Sequence, residues 1–295
     1  MRVFVTGATG FIGSAIVSEL LDAGHKVTGL ARSDAAAEAL AAAGAAVHRG
    51  DLDDLDSLRG GVAAADGVIH TAFVHDFSAY AGAAATDRRA IEAIGESLAD
   101  SHRPFVVTAG TAGRAPGRLA TESDAPDPAA PRQSDGTAMA FAARGVRVSV
   151  MRLPPSVHGE GDHGFVPALI GIARDKGISA YPGDGANRWP AVHRHDAARL
   201  YRLALESAPA GTRLHAVAEE GVPVREIAEA IGRQLGLPVT GLSAAEAEGH
   251  FDWLARFFSV DNPTSSAWTR DEFGWQPAGP TLIEDLDAGH YFVQS

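Results

Sequence analysis

A glycine-rich segment near the start of the chain, TGATGFIG, has the residue types and spacing of a phosphate-binding turn. It follows a short apolar run that predicts a buried strand and precedes an apolar periodicity that predicts a helix. Gly7 allows the backbone angles of a tight turn, Gly10 lets a pyrophosphate approach the backbone, and Gly13 lets the helix pack closely on the strand. The N–H groups of the helix start would then face the phosphates. We therefore predict a dinucleotide site formed by Thr6, Gly7, Thr9, Gly10, Phe11, Ile12 and Gly13.

Strand-like and helix-like segments alternate along the first half of the chain. The predicted strands are 3–5, 25–30, 46–48, 67–71, 104–108 and 146–153, and the predicted helices are 14–23, 35–43, 54–64, 86–101 and 133–144. Such alternation predicts an α/β fold, a Rossmann-type doubly wound parallel sheet.

After residue 155 glycine and proline become more frequent and the apolar runs shorten. Helices are predicted at 165–174, 196–206 and 224–235, and a late strand at 214–218. We therefore expect a dinucleotide-binding domain at 1–155 and a smaller C-terminal substrate lobe at 156–295, with about 191–218 returning to the Rossmann sheet.

The Gly-x-x-Gly-x-x-Gly spacing resembles the extended or atypical branch of the short-chain dehydrogenase/reductase superfamily, which is NAD-dependent epimerase/dehydratase-like. The resemblance covers most of the chain. It implies adenine contacts at Asp51 and Leu52, and a segment after the fourth strand that lines the cofactor. It also implies that the loop after the sixth strand packs on the nicotinamide. The residues concerned in these last two segments are Thr71, Ala72 and Phe73, then Pro154 and Val157.

The end of the second strand favours NADP(H) as the cofactor. An acidic residue there would accept hydrogen bonds from the free 2′-hydroxyl of NAD. The strand instead continues into Arg32 and Ser33, and a guanidinium fork suits a 2′-phosphate. Asp34 lies just beyond and would oppose this choice, and Arg32 could also be an ordinary surface charge.

The Tyr-x-x-x-Lys pair on which catalysis in this family depends is missing. Aligned through the helix and strand that follow it, the pair falls at Asp127 and Pro131. No tyrosine or lysine lies anywhere between residues 82 and 175. The usual proton relay of the family is therefore absent, which indicates an atypical member.

A hydroxyl partner for the substrate is expected after the fifth strand, where the resemblance implies a serine or threonine. Thr111 is the first candidate and Thr108 the second, although either could simply cap the strand end. Histidine is the natural replacement for tyrosine as a proton donor. The candidates are His158, His193 and His75, each of which could equally be structural.

Asp196 is expected to be a helix N-cap rather than an acid catalyst. Four aromatic residues could line an apolar substrate pocket or belong to an ordinary core. They are Phe73, Phe165, Tyr181 and Trp189.

Composition excludes several classes of function. The net charge of −12 argues against nucleic-acid or anionic-membrane partners, and the absence of cysteine excludes disulfides and thiolate sites. The histidines lack a metal-ligating spacing, so no metal is expected. Without a visible signal peptide or apolar span, the expected location is the cytoplasm. A monomer, or a homodimer through helices 86–101 and 133–144, is expected.

Two functions follow from this sequence. The first is an NADPH-dependent oxidoreductase that transfers hydride to a small or mid-sized apolar carbonyl or imine. An iminium substrate arrives already protonated, so the missing tyrosine does not forbid its reduction. The alternative is a non-catalytic NADP(H)-binding redox sensor or regulator.

Overall fold

The computed structural model describes residues 1–74, 80–112, 115 and 117–293. The chain divides into two compact units, which are described separately. Unit 1 comprises Met1–Gly110, Ala125–Arg152 and Ala197–Leu214, and unit 2 comprises Thr111–Asp124, Leu153–Asp196 and His215–Ser295. The domain boundary expected after residue 155 stays a prediction.

The strands of the described chain are numbered in order. They are β1 (Arg2–Thr6), β2 (Lys26–Ala31), β3 (Ala46–Arg49), β4 (Gly67–His70), β5 (Pro104–Gly110), β6 (Arg147–Leu153), β7 (Ser156–His158), β8 (Ser179–Pro182), β9 (Arg188–His193), β10 (Thr212–His215), β11 (Glu219–Pro223) and β12 (Val239–Leu242).

The α-helices are numbered in the same way. They are α1 (Phe11–Asp22), α2 (Asp34–Ala42), α3 (Leu55–Ala63), α4 (Tyr80–Leu98), α5 (Ser134–Met139), α6 (Phe165–Lys176), α7 (Arg194–Ser207), α8 (Val224–Leu235), α9 (Ala244–Phe251), α10 (Ala255–Phe258), α11 (Ala267–Phe273) and α12 (Leu282–Asp287). Short 3₁₀ turns lie at Ala142–Arg144, Asp252–Leu254 and His290–Phe292.

Unit 1 is built on a seven-stranded sheet in the order β10-β6-β5-β4-β1-β2-β3. The pairs β1–β2, β2–β3, β1–β4 and β4–β5 are parallel. All four residues of β4 are buried, as expected for a strand covered by helices on both faces. This strand order confirms the predicted Rossmann-type doubly wound sheet. From β1 the strand order proceeds to one side through β2 and β3, and to the other side through β4, β5 and β6. The ligand crevice is therefore expected at this switch point, at the carboxyl ends of β1 and β4.

The predicted helices of unit 1 are present with shifted ends. The helix predicted at 86–101 is α4, which begins at Tyr80 and ends at Leu98. The helix predicted at 133–144 was too long, because α5 ends at Met139 and a 3₁₀ turn follows. Gly145, at φ 70°, stops that turn in the left-handed region, which glycine adopts without steric cost.

Unit 2 has two small sheets, β11-β9-β7 and β12-β8. Strand β9 pairs parallel with β7 and antiparallel with β11. A cluster of apolar and aromatic side chains from α6, α8, α9 and β9 forms its core. Trp189 belongs to that core with 1% of its surface exposed, so it is a core residue and not an exposed pocket wall.

Candidate functional site

The turn between β1 and α1 is packed so closely that only glycine fits at two of its positions. Gly7 has φ +69°, and a Cβ there would lie 2.7 Å from the backbone nitrogen of Ala72. A Cβ on Gly13 would lie 1.9 Å from the carbonyl oxygen of Gly7. A hydrogen bond of 2.9 Å from the Gly10 N–H to the Gly7 carbonyl closes the turn. Strand, turn and helix therefore require these glycines for steric reasons.

The outer surface of this turn fits a pyrophosphate. Gly10 is the N-cap of the 12-residue helix α1, and no side chain caps that helix start. Gly10 and Thr9 are exposed, while Phe11 and Ile12 are half-buried. Backbone N–H groups and the positive end of the helix dipole favour an anion at such a place. The predicted residues are thus arranged as a dinucleotide-binding turn requires.

The end of β2 presents a cation. Arg32 follows β2, is exposed, and has no ion-pair partner within the described part of the chain. The Ser33 hydroxyl accepts a hydrogen bond from the Ala36 N–H at 3.2 Å and so caps α2. Asp34, the carboxylate that could oppose an anion here, forms an ion pair with Arg49 at 2.5 Å. Both charges are exposed at this strand end, and of the two Arg32 is the one without an ion-pair partner in the described part of the chain.

The segment after β3 contains two further predicted cofactor contacts. The Asp51 carboxylate accepts a hydrogen bond from the Asp53 N–H at 3.0 Å and is half-buried. Leu52 is buried and packs in a core cluster of unit 1 with Phe4 and Leu30. Of the two, only Asp51 offers polar atoms at the surface.

The end of β4 is tied to the end of β1. The Thr71 hydroxyl donates to the Thr6 carbonyl at 2.8 Å, and the Ala72 N–H donates to Oγ1 of Thr6 at 3.4 Å. The Thr6 side chain is completely buried. These contacts hold the two strand ends side by side at the expected ligand crevice.

A buried polar network, which sequence reasoning missed, begins at Thr6. Oγ1 of Thr6 lies 2.7 Å from Nδ1 of His70, and Nε2 of His70 lies 3.2 Å from Oδ1 of Asp87. The Ser134 hydroxyl donates to the other oxygen of Asp87. Burial raises the pKa of Asp87, but the His70 hydrogen bond and the Arg132 charge outweigh it and hold that pKa below its usual value. Asp87 is therefore an ionised carboxylate in the interior of unit 1.

Arg132 ends this network at the surface. Its Nε donates to Oγ of Ser134 at 2.8 Å and lies 3.5 Å from Oδ2 of Asp87. Its Nη2 donates to the Thr108 carbonyl at 3.2 Å. The guanidinium carbon lies 4.0 Å from the centre of the Phe73 ring, a cation–π contact. The head group is thus held from one edge and from one face, with 22% of the side chain exposed.

Thr108 is engaged within unit 1. Its hydroxyl donates to the His70 carbonyl at 2.8 Å and lies 2.7 Å from the Tyr201 hydroxyl. Complete burial raises the pKa of Tyr201, so that phenol stays protonated and donates to Thr108. Thr108 is 8% exposed.

Thr111 lies in unit 2 and is fully buried. The Asn262 side-chain amide donates to its hydroxyl at 3.1 Å, and its own N–H donates to the Leu153 carbonyl at 3.0 Å. The structure therefore places both candidate threonines in hydrogen-bonded, buried positions, and it places them in different units.

Two predicted histidines of unit 2 are brought together. Strands β7 and β9 pair so that His158 lies opposite His193, with ring centres 5.5 Å apart. Nδ1 of His158 lies 2.8 Å from Oδ2 of Asp285, and His158 is completely buried. His193 is half-buried, and burial lowers its pKa, with a further contribution from the charge of His158. Of the two residues, only His193 is partly exposed.

A second polar contact lies beside this pair. The Gly159 N–H donates to the Tyr291 hydroxyl at 3.0 Å, and that hydroxyl donates to Oδ2 of Asp162 at 3.0 Å. Burial raises the pKa of Asp162 and of Tyr291. This contact anchors the C-terminal segment to the loop after β7.

The remaining candidates are placed as follows. Helix α7 begins at Arg194, so Asp196 is not its N-cap, and the cap prediction was wrong. The Asp196 carboxylate instead accepts from the N–H groups of Ala278 and Gly279, at 3.0 and 2.8 Å. Pro154 is buried and Val157 is half-buried in β7, and their role at the nicotinamide stays a prediction. His75 lies outside the described residues.

Metal-binding clusters and membrane-spanning helices are both absent from the described ranges. Within them, no group of three or more histidine, aspartate or glutamate side chains could hold a metal ion. Among the helices of the same residues, none is long and apolar enough to cross a membrane.

A Rossmann-type sheet with a glycine turn at its crevice defines a nucleotide-dependent α/β protein. Residues 3–217 match the model of the NAD dependent epimerase/dehydratase family, and the chain belongs to that family. An uncharacterised protein of Schizosaccharomyces pombe is 56% identical over 99% of this chain and 100% of its own length. An uncharacterised protein of Saccharomyces cerevisiae is 45% identical, over 98% and 99% of the two chains. A 2-alkyl-3-oxoalkanoate reductase of Stenotrophomonas maltophilia is 28% identical, over 81% and 77%.

Solved structures share the fold. A dTDP-glucose 4,6-dehydratase of Streptomyces venezuelae, with NAD bound, superimposes with a TM-score of 0.79 at 22% identity, over 98% and 96% of the two chains. A UDP-glucose 4-epimerase of Thermotoga maritima, with UDP-glucose, gives 0.77 at 20% identity, over 99% and 98%. These likenesses show the shared fold, and the family match over residues 3–217 confirms the predicted membership of the epimerase/dehydratase-like branch.

Proposed function

We propose that this protein is an NADPH-dependent reductase of a small or mid-sized apolar carbonyl or imine. The observation that carries the cofactor choice is the end of β2, where exposed Arg32 has no ion-pair partner in the described chain and Asp34 is paired with Arg49. The carboxylate at that place, Asp34, is exposed and paired with Arg49, whereas the unpaired guanidinium of Arg32 suits a 2′-phosphate. The similarity to a reductase supports the reaction class.

The nucleotide would be held by three groups of residues in unit 1. The glycine turn would bind the pyrophosphate, Arg32 and Ser33 the 2′-phosphate, and Asp51 the adenine. Thr71, Ala72 and Phe73 would line the continuation of the cofactor past β4. When bound, NADPH supplies the hydride, and the protein supplies orientation and electrostatics.

The four predicted catalytic residues differ in what they can do. Thr108, Thr111 and His158 are buried or nearly so. The two hydroxyls contact Tyr201 and Asn262, and Nδ1 of His158 contacts Asp285, while Nε2 of His158 has no hydrogen-bond partner among the described residues. His193 is half-buried, and this partial exposure separates it from the other three, because its Nδ1, like Nε2 of His158, is a buried atom without a hydrogen-bond partner among the described residues. We therefore propose His193 as the proton donor, and the other three as residues that hold their surroundings in place.

The burial of both threonine hydroxyls also favours the second candidate, a redox sensor that binds NADP(H) without chemistry. In either case we propose a small-molecule ligand, a monomer or homodimer, and a cytoplasmic protein.

The experiment that tests the proposal mixes the purified protein with NADPH and, separately, with NADH. A panel of ketones, aldehydes and cyclic imines is added, and loss of nicotinamide absorbance is recorded. We expect NADPH to be consumed with one substrate class, and NADH much more slowly. Tight NADPH binding without turnover would instead support the sensor, and absence of NADPH binding would contradict both.

A further inference from the structure

We infer that Arg132 is the oxyanion-stabilising residue of the proposed reductase, and that the substrate is therefore a neutral carbonyl compound rather than an iminium ion. This inference rests on the proposed function and narrows its substrate class. It comes from the buried network that leads from Thr6 to Arg132, which the cofactor-binding residues do not account for.

The guanidinium is held so that one end is left for a ligand. Its contacts with Ser134, Asp87 and the Thr108 carbonyl involve Nε and Nη2, which form one edge of the planar group. One face lies on the ring of Phe73. Nη1 makes no hydrogen bond to any of the described residues. A planar fork held by its edge and face has little rotational freedom left to lose when Nη1 binds an acceptor.

The hydrogen bonds of the network have one consistent set of directions. Oγ1 of Thr6 accepts from the Ala72 N–H and can donate its own proton to Nδ1 of His70. Nε2 of His70 then carries a proton and donates to Asp87. Asp87 thus accepts hydrogen bonds from His70 and Ser134 and forms an ion pair with Arg132. Only 1% of its side chain is exposed. The network ties the orientation of Arg132 to the nucleotide turn.

The position of Arg132 in unit 1 is at the carboxyl edge of the sheet. Phe73, on which it lies, follows β4, and the Thr108 carbonyl that it binds is near the end of β5. Arg32 follows the carboxyl end of β2, which lies in the other half of the sheet. In a doubly wound sheet the dinucleotide crosses the crevice between these halves. Arg32 therefore lies on the adenosine side, and Arg132 lies on the side where the hydride is transferred.

Carbonyl reduction creates negative charge that a guanidinium can stabilise. The hydride adds to the carbonyl carbon, the π electron pair moves to the oxygen, and NADPH becomes NADP⁺. The resulting alkoxide takes up one proton in a separate step, from water or from the donor proposed above. A guanidinium carries a positive charge and offers only donors, so the role of Arg132 is electrostatic. A cationic iminium group would be repelled at the same place.

The substitutions Arg132→Gln and Arg132→Lys test this role, with Arg59→Gln as the matched control. Arg59 also pairs with an aspartate of unit 1, Asp56, but on the surface. We expect R132Q to lower kcat for a ketone about 100- to 1000-fold, as loss of an oxyanion donor does elsewhere, and R132K to retain part of the rate. NADPH affinity, measured by fluorescence titration, should stay within about threefold in all variants, since Arg132 is far along the sheet from Arg32. Ketone turnover by R132Q close to wild type, or wild-type preference for a cyclic iminium ion, would overturn the inference.

A binding measurement tests the assignment of Arg132 without relying on turnover of a substrate. Hexanoate serves as a stable anion in place of the alkoxide, with hexanamide as the neutral comparison, in calorimetric titrations of the protein with NADP⁺. We expect hexanoate to bind wild type and R59Q, and to bind R132Q at least about tenfold more weakly. Equal binding to wild type and R132Q would contradict the assignment. If wild type consumes no NADPH, the proposed function fails, and the hexanoate titration by itself then decides whether Arg132 binds an anion.

Discussion

Nδ1 of His158 lies 2.8 Å from Oδ2 of Asp285, and both side chains are buried in unit 2. The carboxylate fixes the ring orientation and places the proton on Nδ1. Nε2 of the same ring has no hydrogen-bond partner within the described ranges, and the next ring is that of His193 on β9. Asp285 therefore holds the buried ring of His158 in one orientation, with the ring of His193 beside it.

The stability of unit 2 should depend on pH through His193. Burial lowers the pKa of this residue below 6.5 in the folded protein, with Asp285, His195 and Asp196 as further charged neighbours. The unfolded chain then takes up a proton at a higher pH than the folded chain, so stability decreases as pH falls below about 6.5. Urea unfolding of wild type and H193Q at pH 7.5 and 5.5 should show a smaller pH effect in the variant. An identical pH effect in both proteins would show that His193 does not titrate in this way.

The glycine turn should not tolerate Gly13→Ala. The new Cβ would lie 1.9 Å from the Gly7 carbonyl oxygen, so strand and helix must separate. We expect a loss of about 1–3 kcal/mol in the free energy of unfolding, together with weaker NADPH binding. Gly82→Ala in α4 is the control, because a Cβ there meets nothing within 4 Å. That variant should be more stable by about 0.5–1 kcal/mol and should bind NADPH normally.

Arg32→Ala should change the choice of nucleotide. If Arg32 binds the 2′-phosphate, its loss should weaken NADPH binding about 10- to 100-fold, the usual value of a charged hydrogen bond. NADH binding should be unchanged within about twofold, because NADH has no 2′-phosphate. Fluorescence titrations with both nucleotides give the two affinities, and R59A is the control. If NADPH affinity is unchanged by the substitution, Arg32 does not bind the 2′-phosphate, and other residues must select between NAD and NADP.

Asp87→Asn should destabilise unit 1. The substitution removes the charge that faces Arg132 and puts amide protons near the donors Ser134 and Arg132. Breaking a buried, hydrogen-bonded charge network from one side costs about 3–5 kcal/mol. Urea unfolding measures the loss, and Asp56→Asn, which breaks the exposed pair with Arg59, should cost less than about 1 kcal/mol. A loss as small in D87N as in D56N would mean that the network contributes little to stability.

Local periodicity was enough to predict the strands and most helices of unit 1, and one helix of unit 2 with its bounds. The run before Gly7 became β1, and the periodicity at 224–235 became α8. Errors occurred at ends, as in α5, where the chain leaves the helix after Met139 and Gly145 stops the next turn. Helix ends depend on packing and on single glycines, which periodicity does not encode.

Asp87 had a signal in the sequence that was overlooked. It lies four residues before Ile91 and seven before Ile94, so it stands on the apolar stripe of α4. A charged residue in that register must be buried with partners, which marks a network. Its partners Arg132 and Ser134 carry no comparable pattern, since they come from a proline-rich segment distant in the chain.

The sequence by itself determined the class of protein, because a glycine turn between strand and helix is a local feature whose steric demands are met within a few residues. It also determined that the family's Tyr-x-x-x-Lys pair is missing and that an arginine, Arg32, follows β2. Only the tertiary structure decided that Asp34 is paired with Arg49, that Thr111 is buried, and that Arg132 is held over Phe73. These outcomes depend on contacts between distant residues, and burial and hydrogen-bond partners exist only once the sheet and its helices have assembled.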